Sequence, residues 1–127
     1  MNLGIFIGVG NYTSQQYNDL PACNKDAETL KSVFESIKNF TEILFLNGIV
    51  DQSKIIQGME KLSTKYKNEE VEELIFYFSG HGEKEGDEFL YLPSDFDPHK
   101  KLGTSISCTG QPSPDTFLRE FSNSMGD

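Results

Sequence analysis

The chain has 127 residues, 36% of them hydrophobic and 24% charged, with a formal net charge of -9; this is enough apolar content for one folded core, which sets aside a disordered chain. The acidic balance argues against nucleic acid or an anionic membrane as partner, because phosphates are met by basic surface, and it suits basic peptides. No apolar run reaches membrane-spanning length, residues 1–10 lack the basic start and cleavage site of a signal peptide, and two cysteines, Cys23 and Cys108, make no disulfide scaffold, so a cytoplasmic protein with free thiols is expected.

Residues 3–9 read as a short apolar strand, followed by Gly10-Asn11 and a polar loop through Asp19. Cys23, Ala27, Leu30, Phe34 and Ile37 recur at helical spacing, which predicts a helix over 25–37 with Asn24 as its N-cap. A second strand over 41–46 is closed by Asn47-Gly48. Ile55, Ile56, Met59, Leu62 and Tyr66 form the stripe of a second helix over 53–67, capped by Asp51 or Ser53. After an acidic surface turn over 68–73, residues 74–82 read Leu-Ile-Phe-Tyr-Phe-Ser-Gly-His-Gly. That run lacks polar alternation, so it predicts a strand covered on both faces, ending at a histidine between two glycines. Beyond it the pattern weakens into a charged turn over 83–88, a short strand over 89–92, a loop over 93–103 and a polar extended stretch over 104–110. Ser113-Pro114 then starts a short helix with Phe117, Leu118 and Phe121 on one face.

Strands alternating with helices predict a three-layer α/β sandwich, with a largely parallel sheet and helices on both faces. One domain covers residues 1–127, of which 99–127 form an irregular tail with its short helix. Three parallel strands make a thin core, so further strands, or a partner chain, are expected to complete the sheet.

The chemistry centres on His81. In open α/β sheets ligands bind beyond the carboxyl ends of the strands, and a histidine there can move a proton near neutral pH. The plain alternative is a capping histidine in a tight turn. Gly82 could offer its backbone N–H to a developing oxyanion. No serine lies in a nucleophile-elbow pattern, and Cys108 is the only cysteine downstream of His81. His81 and His99 sit apart without paired spacing, so no metal site is expected; Glu83, Glu85, Asp87 and Glu88 could attract calcium but lack the ligand register of an EF-hand loop. Gly8-Val9-Gly10 is not continued into a phosphate-binding motif, so no nucleotide or other cofactor is expected.

Four blocks in order resemble the amino-terminal portion of a caspase-fold cysteine peptidase, nearer to metacaspases and bacterial caspase-like proteins than to animal caspases. Ile5-Phe6-Ile7-Gly8-Val9-Gly10-Asn11-Tyr12 resembles the family's first strand and its Gly-x-x-x-Tyr turn, and Leu20-Pro21-Ala22-Cys23-Asn24-Lys25-Asp26-Ala27 its Leu-x-Gly-Cys-x-Asn-Asp-Ala block. Phe76-Tyr77-Phe78-Ser79-Gly80-His81-Gly82 is similar to the family's histidine strand, and Tyr91-Leu92-Pro93-Ser94-Asp95 to the segment after it. The resemblance, over about residues 3–98, implies that His81 is the histidine of a Cys–His dyad and that Gly82 serves the oxyanion hole. It also implies that Asp26, with Cys23 and Ser79, lines a pocket favouring Arg or Lys before the scissile bond. Asp26 also reads as a first-turn helix aspartate favoured by the macrodipole.

One departure matters. The family's nucleophile follows a further helix and strand, about 50 residues after the histidine in caspase signatures, which lands near position 131. Cys108 follows His81 by 27 positions, in a Ser-Cys-Thr-Gly setting with no helix between them. The resemblance therefore implies an endopeptidase domain without its nucleophile segment, inactive on its own. The alternative is a catalytically inactive caspase-like module that binds a partner through an unfinished sheet edge. A flavodoxin-like or receiver-like domain is a third reading, but Gly8-Val9-Gly10-Asn11 lacks the acidic cluster it needs.

Overall fold

A computed structural model describes residues 1–37, 39–85, 88–100 and 104–108, with the backbone alone for 85, 88, 89, 107 and 108. The expected helix after Ser113 lies outside the described residues. Among the described residues two helices and six strands follow the order β1 (Asn2–Val9), α1 (Pro21–Ile37), β2 (Glu42–Gly48), α2 (Gln52–Lys65), β3 (Glu73–Ser79), β4 (Gly82–Glu85), β5 (Glu88–Tyr91) and β6 (Ile106–Cys108), with a 3-10 turn at Pro98–Lys100.

β1, β2 and β3 form a parallel sheet in the order β2-β1-β3. β1 is paired along both edges, so its residues from Leu3 to Val9 are buried. Strand alternation then sorts its side chains between two helices. Leu3, Ile5, Ile7 and Val9 join Ile55, Met59, Leu62 and Tyr66 of the α2 side in the main core, with Leu74, Phe76 and Phe78 of β3 packed against it. On the opposite face Phe6 meets the rings of Phe34, Phe40 and Tyr77 at centroid distances of 5.8, 6.3 and 6.5 Å. Gly8, also on that face, lets α1 come down onto the sheet: a Cβ there would sit 2.7 Å from the Ala27 Cβ and 2.9 Å from the Cys23 carbonyl oxygen. Helices thus cover both faces of a parallel sheet, as the alternation predicts.

Three expectations are corrected and one choice left open is settled. α1 begins at Pro21, not at residue 25, because proline suits the first helical position, where its missing N–H has no intrahelical partner to lose; Asn24 is therefore inside the helix rather than its cap. α2 is capped by Asp51, whose carboxylate accepts from the Lys54 N–H at 2.9 Å. β3 stops at Ser79 rather than running to the histidine; it is the edge of the described sheet, with β1 at its centre, so His81 follows an outer strand. The start of the charged turn expected over 83–88 is instead part of β4 (Gly82–Glu85), which pairs antiparallel with β5; β6 pairs with β5 on its other side. This second sheet packs against β3 through Tyr91, whose ring lies 5.5 Å from Phe76 and 5.0 Å from Phe78. Among the described residues no helix is long and apolar enough to cross a membrane.

Candidate active site around His81

Three segments meet at the carboxyl end of the parallel sheet: the loop leaving β1, the bend between β3 and β4, and the chain leaving β5. The loop is anchored at both ends, by Leu20 N–H to Gly10 O at 2.8 Å and by Tyr12 N–H to the Asp19 carboxylate at 3.0 Å. Thr13 N–H donates to Ser94 O at 2.9 Å and fastens the loop to the chain after β5. Leu90, Leu92 and Phe96 form a small second core beneath it, with Tyr12 and Tyr17 packed on top.

His81 sits in the bend, between two tyrosine rings. The Tyr12 ring is edge-on at 4.7 Å between centroids, and the Tyr17 ring is tilted at 5.2 Å. His81 Nε2 lies 2.8 Å from the Asn18 carbonyl oxygen. A carbonyl oxygen only accepts, so this contact assigns the ring proton to Nε2 and leaves Nδ1 with its lone pair in the neutral imidazole. The His81 backbone N–H donates to the Tyr12 hydroxyl at 2.7 Å, and that hydroxyl donates to Leu92 O at 2.9 Å. The Tyr17 hydroxyl donates to the Glu83 carboxylate at 2.7 Å. Burial pushes the Tyr12 hydroxyl up to about 12. Burial first, and then the bond to Glu83, pushes Tyr17 up to about 12 as well. Both hydroxyls therefore keep their protons, and their donor roles, through the physiological range.

The other anticipated residues are spread along the same end of the sheet. Gly82 opens β4 opposite Tyr91 and is exposed. Cys23 is half-buried in the first turn of α1, with its carbonyl over Gly8, and Gly8 pairs with Ser79 in the sheet; the fold thus brings Cys23 and Ser79 into one neighbourhood. Asp26 is exposed in the second turn of α1, which removes the reading of it as a first-turn aspartate. Its side of the helix follows from its neighbours. The Asn24 carbonyl accepts from Asn47 Nδ2, and the Lys31 ammonium lies 5.0 Å over the Phe45 ring, so both mark the flank toward β2. At 100° per residue Asp26, Val33 and Ile37 fall on the opposite flank, toward β3. The alternation that would place Ser79 and His81 on one face ends at the Gly80 bend.

The backbone of Cys108 is far from His81. It stands opposite Phe89, which stands opposite Lys84. That is two strands across and three positions along from His81, roughly 14 Å at about 4.8 Å per strand and 3.4 Å per residue. Glu83 is engaged by Tyr17, and among the described residues no three His, Cys, Asp or Glu side chains gather into a metal cluster. Asp87 lies outside the described residues.

The histidine stands out in the sequence through its two glycines, whereas its surroundings do not. Tyr12 belongs to a quoted motif, yet nothing in a sequence shows that its hydroxyl turns back to residue 81, and Asn18 acts through a carbonyl that every residue type possesses. Tyr17 and Glu83 meet across 66 positions.

A family model for the caspase domain matches residues 1–110. No curated protein matches the chain.

Proposed function

The chain belongs to the caspase-domain family, and we propose that it is the histidine-bearing part of a cysteine endopeptidase, nearer to metacaspases and bacterial caspase-like proteins than to animal caspases, that cleaves peptides after Arg or Lys. The observation that carries this reading is the contact between His81 Nε2 and the Asn18 carbonyl, which frees Nδ1 to exchange a proton with a thiol. In such a reaction a cysteine thiolate attacks the scissile carbonyl carbon. His81 passes the thiol's proton to the leaving amine as the C–N bond breaks, then takes a proton from the water that hydrolyses the thioester. The Gly82 N–H would face the developing oxyanion. Asp26, about one helical turn after Cys23 on the flank of α1 toward β3, would supply the carboxylate for a basic side chain of the substrate.

The nucleophile in this proposal lies on a segment outside the described residues. The separation derived from the strand register argues against Cys108, and the cytoplasm, which keeps thiols reduced, is the compartment that suits this chemistry. A second reading, a catalytically inactive module that pairs with a partner chain, draws on the outer edge of β3. Among the described residues no strand pairs with that edge, and Val33 and Ile37 beside it are 45% and 67% exposed.

The test is hydrolysis of fluorogenic peptides with Arg, Lys or Asp before the scissile bond by the product of the natural reading frame. Arg and Lys peptides should turn over, His81→Ala should remove roughly 10²–10⁴-fold of the rate, and Asp26→Asn should raise KM for the basic peptides. Peptidase activity unchanged by His81→Ala would overturn the proposal. An inert product that binds a partner chain would establish the module instead.

A further inference from the structure

The first rung of the β4–β5 ladder is built abnormally. Gly82 stands opposite Tyr91, so His81 and Leu92 are the next opposing pair. Two residues in a hydrogen-bonded antiparallel pair exchange both backbone bonds. Here one is present: Leu92 N–H donates to His81 O at 3.1 Å. The other is interrupted, because His81 N–H donates to the Tyr12 hydroxyl at 2.7 Å and that hydroxyl passes its own proton to Leu92 O at 2.9 Å. Two consecutive bonds replace one, which splays the strands at His81. The residue before the histidine makes room for the insertion: a Cβ on Gly80 would stand 2.8 Å from the Tyr12 hydroxyl. The same Tyr12 ring lies edge-on to the imidazole.

We infer that the Tyr12 hydroxyl, wedged into the His81–Leu92 rung, is a positioning group that aims the His81 ring at the Asn18 carbonyl and so selects the tautomer with its proton on Nε2. Irregularities in a ladder re-aim side chains by bending the strand that carries them, and here a side chain from the β1 loop does the bending. Without the hydroxyl, His81 N–H and Leu92 O can close on each other directly. The bend then relaxes into a regular ladder and carries the imidazole away from Asn18. Tyr12 touches neither substrate nor the reacting atoms in this account and acts through His81. The catalytic consequence rests on the reading of His81 as the proton-transfer group, whereas the geometric one does not.

The experiment is a long-range proton–nitrogen correlation spectrum of the histidine rings in the 127-residue chain, recorded at a pH where both are neutral, with exposed His99 as the reference. The unsubstituted chain should show His81 with its proton fixed on Nε2. Tyr12→Phe, which keeps the ring and removes the hydroxyl, should shift His81 to the averaged pattern of two exchanging tautomers. If Tyr12→Phe fails to fold, Gly80→Ala carries the same test, because its methyl group crowds the hydroxyl out of the rung. A folded Tyr12→Phe chain whose His81 stays fixed on Nε2 would overturn the inference. Where the natural product is active, the variant should lose up to roughly 10²-fold in kcat with KM unchanged, the signature of a misaligned group. A loss confined to KM would count against a positioning role. Because the spectrum reads geometry without turnover, failure of the peptidase reading and failure of this inference are separate results.

Discussion

A phenol held away from water ionises late, because the phenolate would lose its hydration. Tyr12 and Tyr17 are both pushed from 10.0 to about 12, chiefly by burial, with the Glu83 carboxylate adding to the effect at Tyr17. In the unfolded chain each ionises near its ordinary value of about 10. Between those limits the unfolded chain has released protons that the folded chain still holds. The stability contributed by the two neutral hydroxyls is therefore complete below pH 10 and is lost as the pH climbs toward 12. Melting temperatures taken across that window should fall, and Tyr12→Phe and Tyr17→Phe should each flatten the fall. Tyr66, raised by its bond to Glu42, contributes a common background to all three proteins. An identical alkaline decline in the two variants would assign the loss to other groups.

Between elements, the decisive contacts are those of β1 with the helix on either face. Met59 of α2 is fully buried in the main core, so Met59→Ala should cost about 2–5 kcal/mol. On the other face Gly8→Ala places a Cβ 2.9 Å from the Cys23 carbonyl oxygen, which belongs to backbone, so α1 must lift; about 1–3 kcal/mol is expected. Ile37→Ala, 67% exposed on α1, should stay within about 0.5 kcal/mol. Urea midpoints rank the three, and a Gly8→Ala midpoint equal to that of Ile37→Ala would refute the close helix–strand approach. The elements that carry these contacts were legible because their pattern is set by burial: β1 and β3 are apolar runs, and α2 shows its stripe. The start of α1 was obscured because Asn24 reads as an N-cap, although Cys23 already opens the apolar spacing and Pro21 suits a first helical position. β4 was hidden because Gly82-Glu83-Lys84-Glu85 owes its extended form to pairing with β5 rather than to its own composition. At the site, His81 stood out through its two glycines. The Tyr12 wedge and the Asn18 carbonyl did not, since each depends on a long-range approach that no local spacing encodes.

On the peptidase reading proposed above, the described fold would supply half of a proton-transfer pair. It orders an imidazole, fixes its proton through the Asn18 carbonyl, and walls the ring with Tyr12 and Tyr17. A thiol must also reach Nδ1, and the β5–β6 register keeps the Cys108 backbone roughly 14 Å from His81 on strand geometry. To bring it closer, β6 would have to leave its ladder, giving up its pairing with β5 and uncovering Ile106, which packs into the main core. A histidine without a nucleophile removes the covalent route itself rather than slowing one of its steps. The 127-residue chain by itself is therefore expected to leave fluorogenic Arg and Lys peptides uncleaved, with rates no different from those of its His81→Ala and Cys108→Ala variants. Turnover that disappears with Cys108→Ala would show that β6 does detach and would make Cys108 the nucleophile. Turnover that survives Cys108→Ala but disappears with Cys23→Ala would move the chemistry to the first turn of α1, where the Cys23 thiol is half-buried.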